Sequence, residues 1–325
     1  MAYEFLASGA GDEVTLRWNR EAFQRIALRP RVLRDISRID TAITLLGETL
    51  AFPILLAPVA YQRLMHPDGE IAAARGAAQA GAIYIMSTAA TCAIEEVAAT
   101  GTRLWMQIYL QGDRELTRDL VQRAESAGVR ALCLTVDTPV LGTRNRQQRV
   151  NFVLPPELET PHLDAVGRDR LSVVSATREP ITWRDVDWLR SITKRPLLLK
   201  GILDPDDAML AVEHGAAGVI VSNHGGRNLD TVPATIDALP KIADAIGRRC
   251  PLLLDGGIRR GTDVIKSIAL GASAVMIGRP YAYALAVGGA EGVARAIAIL
   301  REELETSMAL LGRASIEDID RSVIW

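Results

Sequence analysis

The stretch "GVIVSNHGGRNLD" (Gly218–Asp230) carries an apolar run directly into a cluster of polar residues. The run ends at Ser222, Asn223 and His224, and two glycines separate the histidine from Arg227. A run that is apolar at every position, rather than at alternate ones, is typical of a parallel β-strand buried on both faces. The stretch therefore predicts a buried strand of an α/β fold whose end presents ionisable side chains.

Seven further apolar runs of this kind alternate along the chain with amphipathic helical stretches. Asp or Thr residues that can serve as N-caps open several of these helices, and glycines close them. The seven runs are PILLAP (53–58), IYIMS (83–87), LWMQIY (104–109), ALCLTVD (131–137), PLLLKG (196–201), PLLLDGG (251–257) and AVMIG (274–278). Eight strands, each followed by a helix, predict a single (β/α)₈ TIM barrel over residues 1–325.

A doubly wound parallel sheet is the competing interpretation of such an alternating pattern. A dinucleotide-binding sheet of that kind carries G-x-G-x-x-G after its first strand, whereas VAYQRLMHPDGE (59–70) follows the first run here. The absence of this loop favours the barrel.

Composition narrows the classes of function. The chain has 325 residues, 49% of them hydrophobic, and a formal net charge of -2, so nothing suggests nucleic acid or an anionic membrane as a partner. Cys92, Cys133 and Cys250 form no CxxC pair, which argues against a disulfide framework or a metal site and indicates a reducing, cytoplasmic location. No signal peptide and no apolar run of membrane-spanning length is evident, so we expect no membrane association.

One long insertion, at residues 138–180, separates the fourth strand from its helix. The insertion is rich in arginine and then in proline, in the segment VLPPELETP. Loops of this length inside a domain are usually functional. We expect this one to be an active-site loop over one mouth of the barrel.

Polar residues end nearly every apolar run. Active sites of TIM barrels lie at the carboxyl ends of the strands, so these residues should converge on one mouth. They are Ser87, Gln107, Tyr109, Thr135, Asp137, Lys200, Ser222, His224, Asp255 and Arg279.

The loops after the seventh and eighth strands have the composition of a phosphate site. LDGGIRRGTD (254–263) and MIGRP (276–280) combine glycines, arginines and helix starts. Backbone N–H groups at a helix N-terminus and guanidinium groups both bind phosphate, and TIM barrels often bind phosphate at these two loops.

Four segments together resemble one enzyme family. SNHGGRNLD, LDGGIRRGTDVIKSIALGASAVMIGRP, LTVDTPVLGTRNRQ and LLAPVAYQRLMHPDGE are similar to the FMN-dependent α-hydroxy acid oxidases and dehydrogenases, which include glycolate oxidase, lactate oxidase and mandelate dehydrogenase. The resemblance covers essentially the whole chain, and the segment APVAYQRLMHPDGE looks most like 4-hydroxymandelate oxidase.

The resemblance implies roles for residues around the substrate. His224 matches the active-site base, and Asp137 matches the carboxylate that holds its imidazole in one tautomer. Arg227 matches the arginine that pairs with the substrate carboxylate, and Arg144 matches a second arginine near the substrate. Tyr109 matches a tyrosine that hydrogen-bonds the substrate.

The resemblance also implies an FMN site. Lys200 matches the lysine beside N1 and O2 of the flavin, where a positive charge stabilises the reduced form. Residues expected around the isoalloxazine and ribityl chain are Val59, Ala60, Ser87, Gln107, Thr135 and Ser222. Residues expected around the ribityl tail and phosphate are Asp255, Gly257, Arg259, Gly278 and Arg279.

Two positions depart from the family pattern. Phe5 stands where the family usually has a tyrosine that contacts the substrate carboxylate, and Ala89 stands where glycolate oxidases carry a tryptophan over the substrate. An apolar and enlarged pocket favours a phenyl ring over a small substituent. We therefore expect mandelate or a ring-substituted mandelate as the substrate.

The resulting hypothesis is FMN-dependent oxidation of an (S)-2-hydroxy acid to the 2-oxo acid, with O₂ reduced to H₂O₂, by a homo-oligomer of four or eight subunits. Alternatives are a dehydrogenase with another electron acceptor and an oxidase that prefers lactate, glycolate or other aliphatic acids. A phosphate-binding barrel without redox chemistry and a flavin-binding protein without turnover are further alternatives.

Overall fold

The eight predicted runs form parallel strands that close into a barrel in the computed structural model, which describes residues 1–163 and 180–325. The strands in chain order are β1 (Ile43–Leu45), β2 (Glu48–Leu50), β3 (Ile54–Leu56), β4 (Ile83–Met86), β5 (Arg103–Ile108), β6 (Leu132–Thr135), β7 (Leu197–Ile202), β8 (Gly218–Val221), β9 (Leu252–Leu254) and β10 (Ala274–Ile277). Strands β3 to β10 pair in sequence order, and β10 closes the barrel on β3. The TIM barrel prediction is confirmed, and the doubly wound sheet is excluded.

Helices surround the barrel and connect its strands. They are α1 (Ala2–Ala7), α2 (Val14–Arg25), α3 (Gly69–Ala80), α4 (Ile94–Ala98), α5 (Arg114–Ser126), α6 (Asn145–Arg149), α7 (Trp183–Ser191), α8 (Pro205–Glu213), α9 (Thr235–Ile246), α10 (Gly261–Ala269) and α11 (Arg279–Leu310). Asp113 and Asp204 cap α5 and α8, because each carboxylate accepts the N–H of the residue two positions later. Helix α6 lies in the 138–180 insertion, of which residues 164–179 lie outside the described part of the chain.

Each barrel strand divides its side chains between two apolar clusters. Because successive side chains point to opposite faces of a strand, alternate residues fill the barrel interior and the others pack against the helices. On β4, for example, Ile83 and Ile85 belong to the interior cluster, whereas Tyr84 and Met86 belong to the outer one. The interior cluster also holds Trp105, a fully buried indole near the middle of the barrel.

A hairpin that the sequence patterns did not reveal covers the amino-terminal mouth of the barrel. Strands β1 and β2 pair antiparallel immediately before β3. Leu45 and Leu50 project from this hairpin into the interior cluster and are 1% and 2% exposed. Three-residue strands carry too short a pattern to be recognised from periodicity alone.

Helix α11 meets the length and composition expected of a membrane span, which the sequence analysis did not assign. The helix is interrupted at Gly288 and Gly289, where the backbone leaves helical geometry. Its buried residues Tyr281, Leu285 and Val293 belong to the outer apolar cluster of the barrel. A single helix of this kind is weak evidence for a span, because helices of soluble cores pass the same test.

The hairpin should contribute to stability through Leu45. We expect Leu45→Ala to lower the free energy of unfolding by about 2–5 kcal/mol, because a buried side chain is lost and a cavity remains. Leu310→Ala is the matched control, since Leu310 is 75% exposed, and its effect should stay within about 0.5 kcal/mol. Urea unfolding followed by circular dichroism compares the two, and equal effects would contradict a packing role for the hairpin.

Candidate active site

A layer of polar side chains lies at the carboxyl end of the barrel, directly above the apolar interior. A residue two positions after an interior residue also points into the barrel. The interior residues Ile85 and Trp105 are followed in this way by Ser87 and Gln107. The layer consists of Ser87, Gln107, Thr135, Lys200, Ser222 and Asp255, and all six residues are buried.

One half of this layer is a neutral hydrogen-bond chain. Gln107 donates from Nε2 to Thr135 Oγ1 at 3.0 Å and accepts from Ser87 Oγ at 3.3 Å. Thr88 anchors the same amide, because its backbone N–H donates to Gln107 Oε1 at 3.1 Å. These bonds satisfy the buried polar groups and fix their orientation.

The other half contains a buried ion pair. Lys200 Nζ lies 3.2 Å from Asp255 Oδ2 and 3.0 Å from Ser222 Oγ, and the serine hydroxyl donates to Asp255 Oδ1 at 2.7 Å. Burial alone would lower the pKa of Lys200, but attraction to Asp255 and Asp137 outweighs burial and raises it. A protonated ammonium group is therefore held beneath the barrel mouth.

His224 follows β8 in a left-handed backbone conformation, with a φ of 56°. Its backbone N–H donates to Ser222 Oγ at 3.0 Å, and its Nδ1 lies 3.1 Å from Asp137 Oδ1. Burial lowers the pKa of His224, and the charges of Lys200 and Arg144 act in the same direction, against the opposing effect of Asp137. The imidazole is therefore neutral at pH 7, with Nδ1 donating to Asp137 and the lone pair on Nε2.

Asp137 is positioned by a bulge in the neighbouring strand. The register between β7 and β8 shifts between Lys200 and Ile202, and Gly201 lies between them with a φ of 111°. A Cβ atom on Gly201 would lie 2.4 Å from Asp137 Cβ, so only glycine leaves room for the carboxylate. Burial opposes ionisation of Asp137, but His224, Lys200 and a hydrogen bond from Thr138 together lower its pKa.

Four half-buried arginines surround the mouth of the barrel. Among the ion pairs that the described residues form, none involves these four side chains. They donate instead to backbone carbonyls: Arg144 to Arg227, Arg227 to Ser8, Arg259 to Ile258, and Arg279 to Leu6 and Gly225. Burial lowers the pKa of Arg259 to about 10, with help from Arg279 and Arg20, and the pKa of Arg227 is lowered by burial, Arg144 and Arg279. Positive charge held in this way favours bound anions.

Two of the four arginines lie where the sequence predicts the phosphate. Arg259 and Arg279 follow β9 and β10, where the sequence predicts the phosphate. Arg279 also ties the amino-terminal segment to the mouth, because it donates to Leu6, Ser8 and Gly225. Arg227 lies with its guanidinium carbon 5.3 Å from the centre of the Phe5 ring, on the side predicted to bind the substrate.

An open cleft, whose empty space is about 1210 Å³ when the adjoining open solvent is included, brings most of the predicted site residues together. Three predicted residues, Asp137, Lys200 and Ser222, do not line the cleft and lie behind lining residues instead. The predicted residues that line it are Phe5, Val59, Ala60, Ser87, Ala89, Gln107, Tyr109, Thr135, Arg144, His224, Arg227, Asp255, Gly257, Arg259, Gly278 and Arg279.

Tyr109 presents a hydroxyl group to this cleft. Burial and the neighbouring Asp137 raise the pKa of Tyr109 to about 12. The phenol therefore stays protonated at neutral pH and can donate a hydrogen bond.

One wall of the cleft is apolar and aromatic. We call it the apolar wall; it is a separate buried cluster of Phe5, Tyr61, Ala89, Leu154 and Leu163, of which the first three line the cleft. The Phe5 ring centre lies 5.4 Å from that of Tyr61. The 138–180 insertion supplies Leu154 and Leu163 to the apolar wall, and its residues Leu141 and Arg144 line the cleft.

Sequence reasoning missed Tyr61, which lines the cleft beside Ala60. Tyr61 has a φ of 56°, a left-handed conformation that is uncommon for an aromatic residue. A tyrosine next to an alanine carries no sequence signal for such a backbone. The glycine in PLLLKG was a usable signal for the bulge at Gly201, because glycine inside a strand often marks one.

Comparisons with known proteins agree with this geometry. An L-lactate oxidase of Nostoc sp. is 49% identical over 340 residues, which cover 100% of this chain and 93% of the relative. Glycolate oxidase 1 of Oryza sativa subsp. indica is 49% identical over 336 residues, which cover 100% of this chain and 91% of the relative. A solved structure of mandelate oxidase with (S)-2-phenylpropionate has a TM-score of 0.92 and 43% sequence identity, and the match covers 98% of this chain and 92% of that chain.

The family model described as FMN-dependent dehydrogenase matches residues 1–325, the full length of the sequence. The chain therefore belongs to the FMN-dependent dehydrogenase family.

Proposed function

We propose that this FMN-dependent enzyme oxidises an (S)-2-hydroxy acid with an aryl group on C2, such as mandelate or a ring-substituted mandelate, to the 2-oxo acid, and that O₂ is reduced to H₂O₂. The observation that carries the proposal is a neutral histidine, held on a carboxylate, in a cleft that combines half-buried arginines with an apolar wall. Lactate, glycolate and mandelate oxidases are all similar to this chain and share the general reaction.

The cleft residues fit FMN. Arg259 and Arg279, with the N-terminus of α11 at Gly278, offer a cationic site for a phosphate monoester. The neutral half of the polar layer lines the cleft together with Val59 and Ala60, and these residues would contact the isoalloxazine. When bound, FMN supplies the two-electron acceptor for the hydroxy acid and the site at which O₂ is reduced.

The protein side chains would hold the substrate and take its proton. Arg227 and Arg144 would bind the carboxylate, and the Tyr109 hydroxyl would donate a hydrogen bond to the substrate. His224 would accept the proton at Nε2, because Nδ1 is occupied by its bond to Asp137. Asp137 would stabilise the imidazolium that forms, as the acid of a catalytic triad does.

Lys200 would act on the cofactor rather than on the substrate. Its ammonium group is fixed by Asp255 and Ser222 beneath the mouth, where a cofactor ring would lie against the polar layer. A fixed positive charge stabilises negative charge that develops on a neighbouring group during reduction.

The apolar wall supports an aryl substituent. Phe5 and Tyr61 offer ring faces, and Ala89 leaves space that a larger side chain would fill. Tilted or offset contacts between aromatic rings stabilise a complex by about 0.5–1.5 kcal/mol beyond area burial. An aliphatic substrate is the second candidate, because the lactate and glycolate oxidases are 49% identical to this chain.

Anaerobic bleaching of the flavin tests substrate class. We expect (S)-mandelate to reduce the bound flavin with a second-order rate constant at least about tenfold above those of L-lactate and glycolate, the usual size of a pocket-fit effect. Admission of O₂ should restore the oxidised spectrum with one H₂O₂ formed per flavin. A preference of tenfold or more for lactate or glycolate would contradict the aryl proposal and leave the general reaction standing.

The variant Ala89→Trp sharpens this experiment. The indole would occupy the space beside Phe5 and Tyr61, so we expect the mandelate rate to fall by about 100-fold while the glycolate rate changes little. Ala286→Trp, on the exposed surface of α11, is the matched control and should leave both rates unchanged. Equal losses with both substrates in the Ala89 variant would mean that Ala89 does not select the substituent.

The pH dependence of kcat/KM tests the roles of His224 and Asp137. His224 must be neutral to act as a base and its pKa is lowered, so activity should be level at pH 7 and fall only as the pH drops below about 6.5. Asp137→Asn removes the charge that raises this pKa, so the fall should move to still lower pH while the plateau drops by roughly 10²–10⁴-fold. Asp113→Asn, an exposed helix cap, is the control. An acid limb that stays in place or moves to higher pH would contradict the pairing.

A further inference from the structure

We infer that Glu70, in the first turn of α3, is a positioning residue that fixes the placement of Tyr61 relative to Ala89 and thereby sets which C2 substituent the cleft accepts. Glu70 does not line the cleft, and its side chain accepts hydrogen bonds from Gln62 and Thr91, neither of which is a predicted substrate or cofactor residue. The inference rests on the proposed function for the kind of substituent that the apolar wall receives.

Tyr61 is held in an unfavourable backbone conformation. A bulky residue in the left-handed region costs about 1–3 kcal/mol and persists only where its surroundings enforce it. Its backbone N–H donates to the Ala89 carbonyl at 3.0 Å, and its own carbonyl accepts from Leu64 at 2.9 Å. The bond to Ala89 joins the two segments that carry Tyr61 and Ala89 into one unit.

Glu70 joins the same two segments from behind. Its Oε1 accepts the backbone N–H of Gln62 at 3.0 Å and that of Thr91 at 3.0 Å. Its Oε2 accepts from the Thr91 hydroxyl at 2.6 Å. Gln62 directly follows Tyr61, and Thr91 lies two residues after Ala89, so a single carboxylate spans the base of the apolar wall.

These hydrogen bonds compensate the burial of the Glu70 carboxylate. Glu70 is fully buried, and among the described residues it forms no ion pair. A buried carboxylate is costly unless hydrogen bonds compensate it, and its position at a helix N-terminus contributes further stabilisation. An apolar side chain would fill the same space at lower cost, so the three donors explain the acid at this position.

Two substitutions of Glu70 with side chains of similar size separate the effect of its hydrogen bonds from the effect of its volume. In Glu70→Gln the amide oxygen can keep both backbone N–H bonds, and the amide nitrogen can donate to the Thr91 hydroxyl oxygen. In Glu70→Met the volume is nearly kept, but all three bonds are lost. The inference therefore predicts a nearly normal Glu70→Gln enzyme and a Glu70→Met enzyme in which Tyr61 is free to leave its left-handed conformation.

The measured quantity is the ratio of kcat/KM for (S)-mandelate to that for glycolate, taken on FMN-loaded enzyme. We expect Glu70→Met to lower this ratio by about tenfold through a higher KM for mandelate, and Glu70→Gln to stay within about twofold of the wild type. Equal losses for both substrates in Glu70→Met would reduce Glu70 to general structural support and overturn the inference. A loss in Glu70→Gln as large as in Glu70→Met would also overturn it, because charge rather than geometry would then matter.

A double-mutant cycle tests whether Glu70 affects substrate preference through Tyr61. In a Tyr61→Ala background, Glu70→Met should change the ratio by less than about twofold, because the residue through which it acts is gone. A tenfold change that persists in this background would contradict the inference. If Glu70→Met does not fold, Thr91→Val is the alternative variant, because it removes the hydrogen bond from the Thr91 hydroxyl to Glu70. Thr91→Val should lower the ratio by about threefold. An unchanged ratio would contradict the inference.

Failure of the proposed function is recognised separately. If wild-type enzyme does not oxidise mandelate, the aryl proposal fails, and the ratio is taken between L-lactate and glycolate instead. A selective loss with lactate in Glu70→Met then supports the positioning role, and a uniform loss overturns it.

Discussion

The alternation of side chains along the strands of a closed barrel is the constraint on which the site depends. Inside the barrel each strand presents every second residue to the axis, so a strand that places Trp105 in the apolar interior must place Gln107 in the layer above it. The same step leads from Leu198 to Lys200 and from Leu253 to Asp255. The change from apolar to polar within two residues therefore creates the polar layer, of which Gln107 and Asp255 line the cleft and Lys200 lies behind them.

Positive charge in the polar layer and at the mouth of the barrel is neutralised to different extents, and the proposed ligands follow from this difference. Lys200 is neutralised in part by Asp255, and His224 is paired with Asp137, but the arginines at the mouth donate to backbone carbonyls. Half-buried cations without carboxylate partners lose part of their hydration in an isolated protein, and bound anions compensate that loss. In the proposed function, Arg259 and Arg279 would bind the cofactor phosphate, Arg227 and Arg144 would bind the substrate carboxylate, and His224 would act as the neutral base.

The barrel and most of the polar residues at its mouth could be predicted from the sequence, because the patterns that indicate them are local. All eight barrel strands are continuous apolar runs, and the polar residues that end them needed only the fold to be placed at one mouth. Features that depend on contacts between distant segments could not be predicted in this way. The hairpin that buries Leu45, the left-handed backbone of Tyr61 and the bridge formed by Glu70 each depend on partners that local patterns do not identify.

In the proposed function the buried charge of Lys200 would act on the flavin, and the reduction potential of the bound FMN tests this role most directly. Lys200→Met should lower the two-electron potential by about 30 mV or more, which corresponds to ~1.4 kcal/mol of lost stabilisation of the reduced form. Thr135→Val, a change in the neutral half of the same layer, should shift the potential by much less. An unchanged potential in Lys200→Met, or an equal shift in both variants, would contradict the account.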